Sequence, residues 1–282
     1  MEKAVIEHKV LENGFAYILV KNRFAEAKIA LQGAHIFHYK RVNEEPLLWL
    51  SEITDFEYGK AIRGGIPICS PWFGFNENKN LPQHGFARIS LWEFVSGNES
   101  DDKSSSLIFR LRYSDETLKL WRYKFELELH IIISDKLTIE LKTTNIDCES
   151  FKLTQALHTY FQLSHISNVS VKGLYQKPYF DALSGEKFIQ NGDIYFDQEV
   201  DRVYQEVKER VILKDIQREI EIKNSGSSSV VVWNPWIEKT KRMSAMREDA
   251  YEYMLCVESA NAFEDARVLR PKESHILKVI IS

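Results

Sequence analysis

Alternation with a period of two dominates this chain. Phe125, Leu127, Leu129 and Ile131 fall on one side of a run whose other side carries Glu126, Glu128 and His130, the pattern of a strand with one buried face. The same pattern predicts strands over residues 107–113, 123–134 and 137–145, with Ser134-Asp135-Lys136 as a tight turn. It predicts an N-terminal hairpin from residues 5–11 and 15–20 around Glu12-Asn13-Gly14, and short strands over 27–31 and 35–39. Another strand begins at 92–95, and the polar stretch 96–106 reads as a solvated loop. Residues 164–207 are loop-rich with short strands, after which strands resume over 211–213, 219–223, 229–233, 253–257 and 272–281. One helix is expected, over 238–246 behind Asn234-Pro235-Trp236, with Lys239, Lys241 and Arg242 toward water. Short strands separated by turns, with one minor helix, indicate an all-β antiparallel sandwich or barrel. No repeat or linker divides the chain, so residues 1–282 are expected to form a single domain.

Two segments break the rhythm. Residues 61–88 read AIRGGIPICSPWFGFNENKNLPQHGFAR, an apolar loop region that carries the fixed cations Arg63 and Arg88 beside Gly64-Gly65 and Gln83-His84-Gly85. Glycine lets the backbone approach a ligand closely, and Pro67 and Pro71 stiffen the run between the arginines. The second segment, residues 151–163, reads as a strand with Leu157, Thr159, Phe161 and Leu163 on one side and His158, Tyr160 and Gln162 on the other. Such a strand can line a cleft with its polar side. Farther on, Glu258 ends an otherwise apolar row with Met254 and Cys256, where a carboxylate is held in a tuned environment.

Composition narrows the classes. Thirty-seven basic against 41 acidic residues give a net charge of −4, which argues against an overall drive toward nucleic acid or an anionic membrane. No run of about 18 apolar residues is present, and the N-terminus lacks the apolar core of a signal peptide. Cys69, Cys148 and Cys256 are odd in number and far apart, as expected of free thiols in a reducing compartment, so a cytoplasmic location is expected. His35 and His38 have a helical spacing in a predicted strand, which speaks against a metal pair. Walker, GxSxG, HExxH and dinucleotide-binding motifs do not occur.

The polar residues left over can be assembled as one site: Arg63, Gln83, His84, Arg88, His158, an aspartate near position 201, and Glu258. Histidine with a carboxylate suits proton transfer near neutral pH, and paired arginines suit an anion, most readily a phosphate. Trp72, Phe73, Phe86 and Tyr160 suit the apolar face of a sugar ring.

The segments AIRGGIPICSPWFG, LPQHGFAR, LTQALHTYFQL with the later DRVY, and VVVWNPWIEK followed by MLCVESAN resemble the aldose 1-epimerase (mutarotase) superfamily, and within it the glucose-6-phosphate 1-epimerase branch. The resemblance implies a galactose mutarotase-like β-supersandwich that works without a cofactor or metal. It implies His158 as general acid, Glu258 as general base, Asp201 as a sugar-hydroxyl ligand and His84 as a second imidazole near the ring. Arg63 and Arg88, with Gln83 beside them, become the substrate cluster, the arginines placed for the 6-phosphate. The expected partner is a small-molecule sugar phosphate, with no nucleic acid and no membrane, and the expected state is a monomer. Ser70 departs from the bulky aromatic common in relatives, and residues 75–81 are individual to this chain, which leaves sugar specificity open. The rival readings are a mutarotase of free aldoses, a catalytically silent carbohydrate-binding module, and a two-carboxylate glycosidase using Glu258 and an acid near Asp201.

Overall fold

Two eight-stranded antiparallel sheets carry most of the chain in the computed structural model, which describes residues 4–76, 78, 80–216 and 218–282. One sheet runs in the order Glu186–Ile189, Pro178–Asp181, Val200–Tyr204, Ser229–Asn234, Met254–Asn261, Gln155–Leu157, Ile68–Cys69, and Tyr160–Gln162 also pairs with Met254–Asn261. The other runs Ser170–Lys172, Val211–Lys214, Glu219–Ser225, Ser274–Ile281, Leu137–Asn145, Phe125–Ile133, Ser105–Arg112, Glu93–Glu99. A four-stranded sheet built from Val5–Val10, Ala16–Lys21, Ala25–Ala30 and His35–Arg41 and a two-stranded pair, Phe151–Leu153 with Arg267–Leu269, complete the architecture.

Alternation decides what meets in the core. Phe125–Ile133 buries every second residue, and Leu127, Leu129 and Ile131 pack in one cluster with Leu157, Phe161, Leu255 and Val257 of the first sheet and Ile18 and Val20 of the four-stranded one. The odd-numbered residues of Met254–Asn261 thus enter the sandwich core. Met254 and Cys256 point the other way, into a second cluster with Trp49, Cys69, Tyr160, Val231 and Trp233. All eight residues of that strand are buried, because loops and a helix cover its far side. That covered far side positions the candidate site.

Three expectations are corrected. Residues 96–106 are not a loop: Glu93–Glu99 pairs with Ser105–Arg112, with a register shift between Phe94 and Ser96 and a turn between the two strands. The strand is polar because it forms the edge of its sheet. The helix spans Trp236–Arg242 rather than 238–246; the Asn234 side-chain oxygen accepts from the Trp236 amide at 2.9 Å and starts it early. Its Lys239 does not simply face water but reaches Glu199 and Asp201. A further short helix, Asp115–Leu120, went unread although Ser114 and Thr117 form a reciprocal cap at its start.

Candidate active site

Residues 151–163 do not form one strand. They divide into Phe151–Leu153, Gln155–Leu157 and Tyr160–Gln162, the last two both antiparallel to Met254–Asn261. The register is the same on either side of the break, with Leu157 opposite Ser259 and Tyr160 opposite Cys256. Counting inward from both pairs sets His158 against Glu258. At the break the His158 amide donates to the Pro67 carbonyl at 3.0 Å, extending the pairing of Gln155–Leu157 with Ile68–Cys69, while the Thr159 amide turns back to the Leu157 carbonyl at 2.9 Å. The two side chains meet, His158 Nδ1 lying 3.4 Å from Glu258 Oε1. Both are enclosed, His158 being 7% and Glu258 1% exposed. Neither His158 Nδ1 nor Glu258 Oε2 has a hydrogen-bond partner among the described residues.

Registry supplies the neighbours. Asp201 stands opposite Trp233, Trp233 opposite Cys256, and Cys256 opposite Tyr160, a row across four strands. The His158 ring lies nearly parallel to Tyr160, 8° off with centroids 4.8 Å apart, and presents an edge to Trp233 at 5.9 Å. Alternate residues of a strand share a face, so the stacking follows from the i, i+2 spacing. The His158, Cys256 and Glu258 donor atoms all lie within 4.8 Å of one another.

The cations arrive on loops. Gly64 and Gly65 both have positive φ, and a β-carbon at Gly65 would lie 2.4 Å from the Ile36 carbonyl oxygen. Only glycine passes there. The loop carries Arg63, whose Nη1 donates to the Tyr160 hydroxyl at 3.4 Å. Gly85, φ +72°, presses on Ser70 so closely that a β-carbon would sit 2.1 Å from its carbonyl oxygen. This contact sets His84, itself at φ +63°, edge-on to His158 at 5.7 Å. The Gly74 amide donates to His84 Nδ1 at 3.1 Å, leaving Nε2 as the protonated nitrogen of the neutral ring. Arg88 is carried by the short turn Ala87–Ile89 and donates through Nη2 to the Gln83 carbonyl at 2.8 Å. Neither arginine has a carboxylate within ion-pair distance among the described residues, and Arg63 Nε has no partner there.

The electrostatics oppose charge on the facing pair. Burial holds His158 well below the usual imidazole range, and His84, Arg88 and Arg63 push it the same way. Burial raises Glu258 well above the usual carboxylate range, Asp201 adds to this, and Arg88 works against it. His84 is pushed down to about 3 by burial and by the two arginines. Burial also raises Asp201, although Lys239 Nζ, 3.4 Å from its Oδ2, acts against the rise.

The structure therefore brings together His158, Glu258, His84 and Arg63, and lets Arg88 act on the same imidazoles. Asp201 lies at the far end of the cross-strand row. Gln83 is exposed and contributes its main-chain carbonyl rather than a side-chain contact. Sequence reading missed Trp233, Cys256 and Lys239 as parts of this surface. Cys256 was legible as the neighbour of Glu258 on one strand face; Lys239 was not, because its partners lie about 40 residues earlier. Of the individual segment 75–81, residues 77 and 79 lie outside the described residues.

Known proteins resemble this chain over most of its length. The profile described as Aldose 1-epimerase matches residues 16–282. A protein of Escherichia coli strain K12 named "Putative glucose-6-phosphate 1-epimerase" is 38% identical over 270 residues, spanning 93% of this chain and 89% of that one. A protein of the same name from Cenchrus ciliaris is 38% identical, spanning 91% of this chain and 80% of its own. The crystal structure of a protein called "a putative mutarotase" from Salmonella typhimurium superposes with a TM-score of 0.92 at 33% identity, covering 98% of this chain and 92% of that one.

Proposed function

The chain belongs to the aldose 1-epimerase family, and on that premise we propose that it interconverts the α and β anomers of hexose 6-phosphates, glucose 6-phosphate first among them, by acid–base ring opening and closure. The observation that carries this reading is the enclosed His158–Glu258 pair beside two arginines that, among the described residues, no carboxylate neutralises. The relatives named for glucose 6-phosphate support the same substrate.

In this reading Glu258 takes the proton from the anomeric hydroxyl and His158 protonates the ring oxygen. The C1–O5 bond breaks, the C1–C2 bond of the open aldehyde rotates, and the reverse steps close the other anomer. The pair needs one proton in total. A protonated Glu258 with neutral His158 holds the same number of protons as the carboxylate with imidazolium, and the two forms differ by one transfer across the 3.4 Å contact. Burial by itself favours the uncharged form. A sugar donating hydroxyl hydrogen bonds to the carboxylate favours the charged one. Proton transfer by one placed acid and one placed base is worth roughly 10²–10⁴-fold each. Arg63 and Arg88 bind the phosphate, Asp201 a ring hydroxyl, and His84 donates from Nε2 toward the substrate.

All these groups come from one chain, which supports a monomer as the working unit, and the three large sheets share one buried cluster, which supports a single domain. Free cysteines and a phosphorylated metabolite as substrate support a cytoplasmic location. Among the described residues no helix is long and apolar enough to cross a membrane.

The test is anomer exchange of glucose 6-phosphate at equilibrium, followed by NMR, with glucose and galactose in parallel. Acceleration confined to the phosphate ester, and lost in His158→Ala, is expected. Acceleration of the free sugars alone would withdraw the phosphate role from the arginines, and binding without acceleration would leave a silent sugar-phosphate module.

A further inference from the structure

Cys256 has no task in the reaction, yet its position is fixed as firmly as that of the acid and base. It is fully buried, stands between Tyr160 and Trp233 in the cross-strand row, and shares a strand face with Glu258 two residues on. Its sulfur, a His158 ring nitrogen and a Glu258 oxygen all lie within 4.8 Å of one another. Buried polar atoms normally have partners, so His158 Nδ1 and Glu258 Oε2, which have none among the described residues, mark a place where a further ligand is accommodated. Thiolate, imidazole and carboxylate together are the donor set of a borderline-soft cation. Around a tetrahedral zinc ion, donors bound at about 2.0–2.3 Å stand roughly 3.2–3.8 Å apart. The His158 Nδ1 to Glu258 Oε1 separation of 3.4 Å already meets this, and the Cys256 sulfur lies within 4.8 Å of a donor atom of each.

We propose that the floor of this site is also a seat for a thiophilic divalent cation such as Zn²⁺, bound by His158, Cys256 and Glu258, and that the cation and catalysis exclude each other. The ion takes the lone pairs that the proton transfers use, so its binding inhibits the enzyme reversibly. The fourth position stays open for water. Inhibition rests on the epimerase reading above; binding of the ion does not.

The experiment uses the full chain in a Cys148→Ser background, which removes the exposed thiol beside Asp147. Titration with Cd²⁺ is followed by thiolate-to-metal charge-transfer absorption in the ultraviolet, and Zn²⁺ inhibition of glucose 6-phosphate anomer exchange is measured with reversal by EDTA. One absorbing site per chain is expected. The absorption is lost in Cys256→Ala, and the half-inhibiting Zn²⁺ concentration rises by roughly 10-fold or more, since even loss of an outer support of a metal ligand costs that much. Cd²⁺ titration of Glu258→Gln gives a second reading that needs neither activity nor Cys256→Ala to fold, and there the affinity falls by a similar factor. Absorption that persists in Cys256→Ala, an unchanged Cd²⁺ affinity in Glu258→Gln, or no cadmium–thiolate band in the parent protein would each overturn the proposal. A cadmium band without any anomerase activity would keep the metal seat and remove the epimerase reading instead.

Discussion

His158 and Glu258 oppose each other across an interrupted antiparallel ladder, with Nδ1 and Oε1 3.4 Å apart. The two groups act as one proton-carrying unit. Glu258→Gln and His158→Ala are each expected to slow glucose 6-phosphate anomer exchange by roughly 10²–10⁴-fold. The double variant should lose little beyond the worse single one, because groups that act as a unit are strongly non-additive. NMR exchange rates for all three proteins check this, and independent, multiplicative losses would break the unit.

The pH dependence follows from the directions of the two shifts. Activity requires one proton on the pair. A second proton is added through His158, whose affinity is lowered, and the last is removed through Glu258, whose affinity is raised. The plateau of kcat/KM should therefore be broad, with its acid limb below pH 6.5 after allowing for the substrate phosphate, which titrates near pH 6. An acid limb above 6.5 would contradict the burial of His158. Stability carries the opposite sign for Glu258. Its folded pKa is above the unfolded one, so the stability it contributes is present below the unfolded value and is lost as pH rises through the folded value. Glu258→Gln, which cannot ionise, should raise Tm at neutral pH relative to the parent.

Arg63 and Arg88 have no carboxylate partner within ion-pair distance among the described residues. If they hold the phosphate, Arg88→Ala should raise KM for glucose 6-phosphate by on the order of 10- to 100-fold, the worth of about 1.5–3 kcal/mol for hydrogen bonds to a charged group. The effect on a free hexose should be small. Equal changes for both sugars would detach the arginines from the phosphate.

Lys239 is shared between Glu199 at 2.7 Å and Asp201 at 3.4 Å, and its ammonium lies 5.8 Å from the Trp233 ring centre. Removing it leaves Asp201 with burial, Glu199 and Asp181 all acting to raise its proton affinity. Lys239→Met should raise KM several-fold and shift the acid side of its pH profile upward, while Lys239→Arg should restore most of the loss. Steady-state kinetics across pH would separate this from a merely structural defect, which would leave the shape of the profile unchanged.

Gly85→Ala places a β-carbon 2.1 Å from the Ser70 carbonyl oxygen at φ +72°. The backbone conformation alone costs a non-glycine residue about 1–3 kcal/mol, and the contact with main chain adds to it. Thermal unfolding should show a Tm lower by several degrees, with loss of activity because His84 and Arg88 follow the same loop. An unchanged Tm would mean that this junction yields easily.

Period-two patterning determined the all-β class and the faces of the strands. It put His158 with Tyr160, and Cys256 with Glu258, because side chains of a strand alternate whatever it pairs with. The wording around Arg63, His84 and Arg88 also singled out the loops that carry cations. Partnership across strands was not legible. The meeting of His158 with Glu258 depends on a register kept through a break at residues 158–159, where the Thr159 amide turns back to the Leu157 carbonyl instead of bonding across the ladder. Lys239 looked solvated for the same reason: the carboxylates it meets belong to a different stretch of chain, brought beside the helix by the pairing of Val200–Tyr204 with Ser229–Asn234. Local alternation is written in neighbouring residues, whereas the charge state and contacts of a buried group are set by whatever the sheet register places against it.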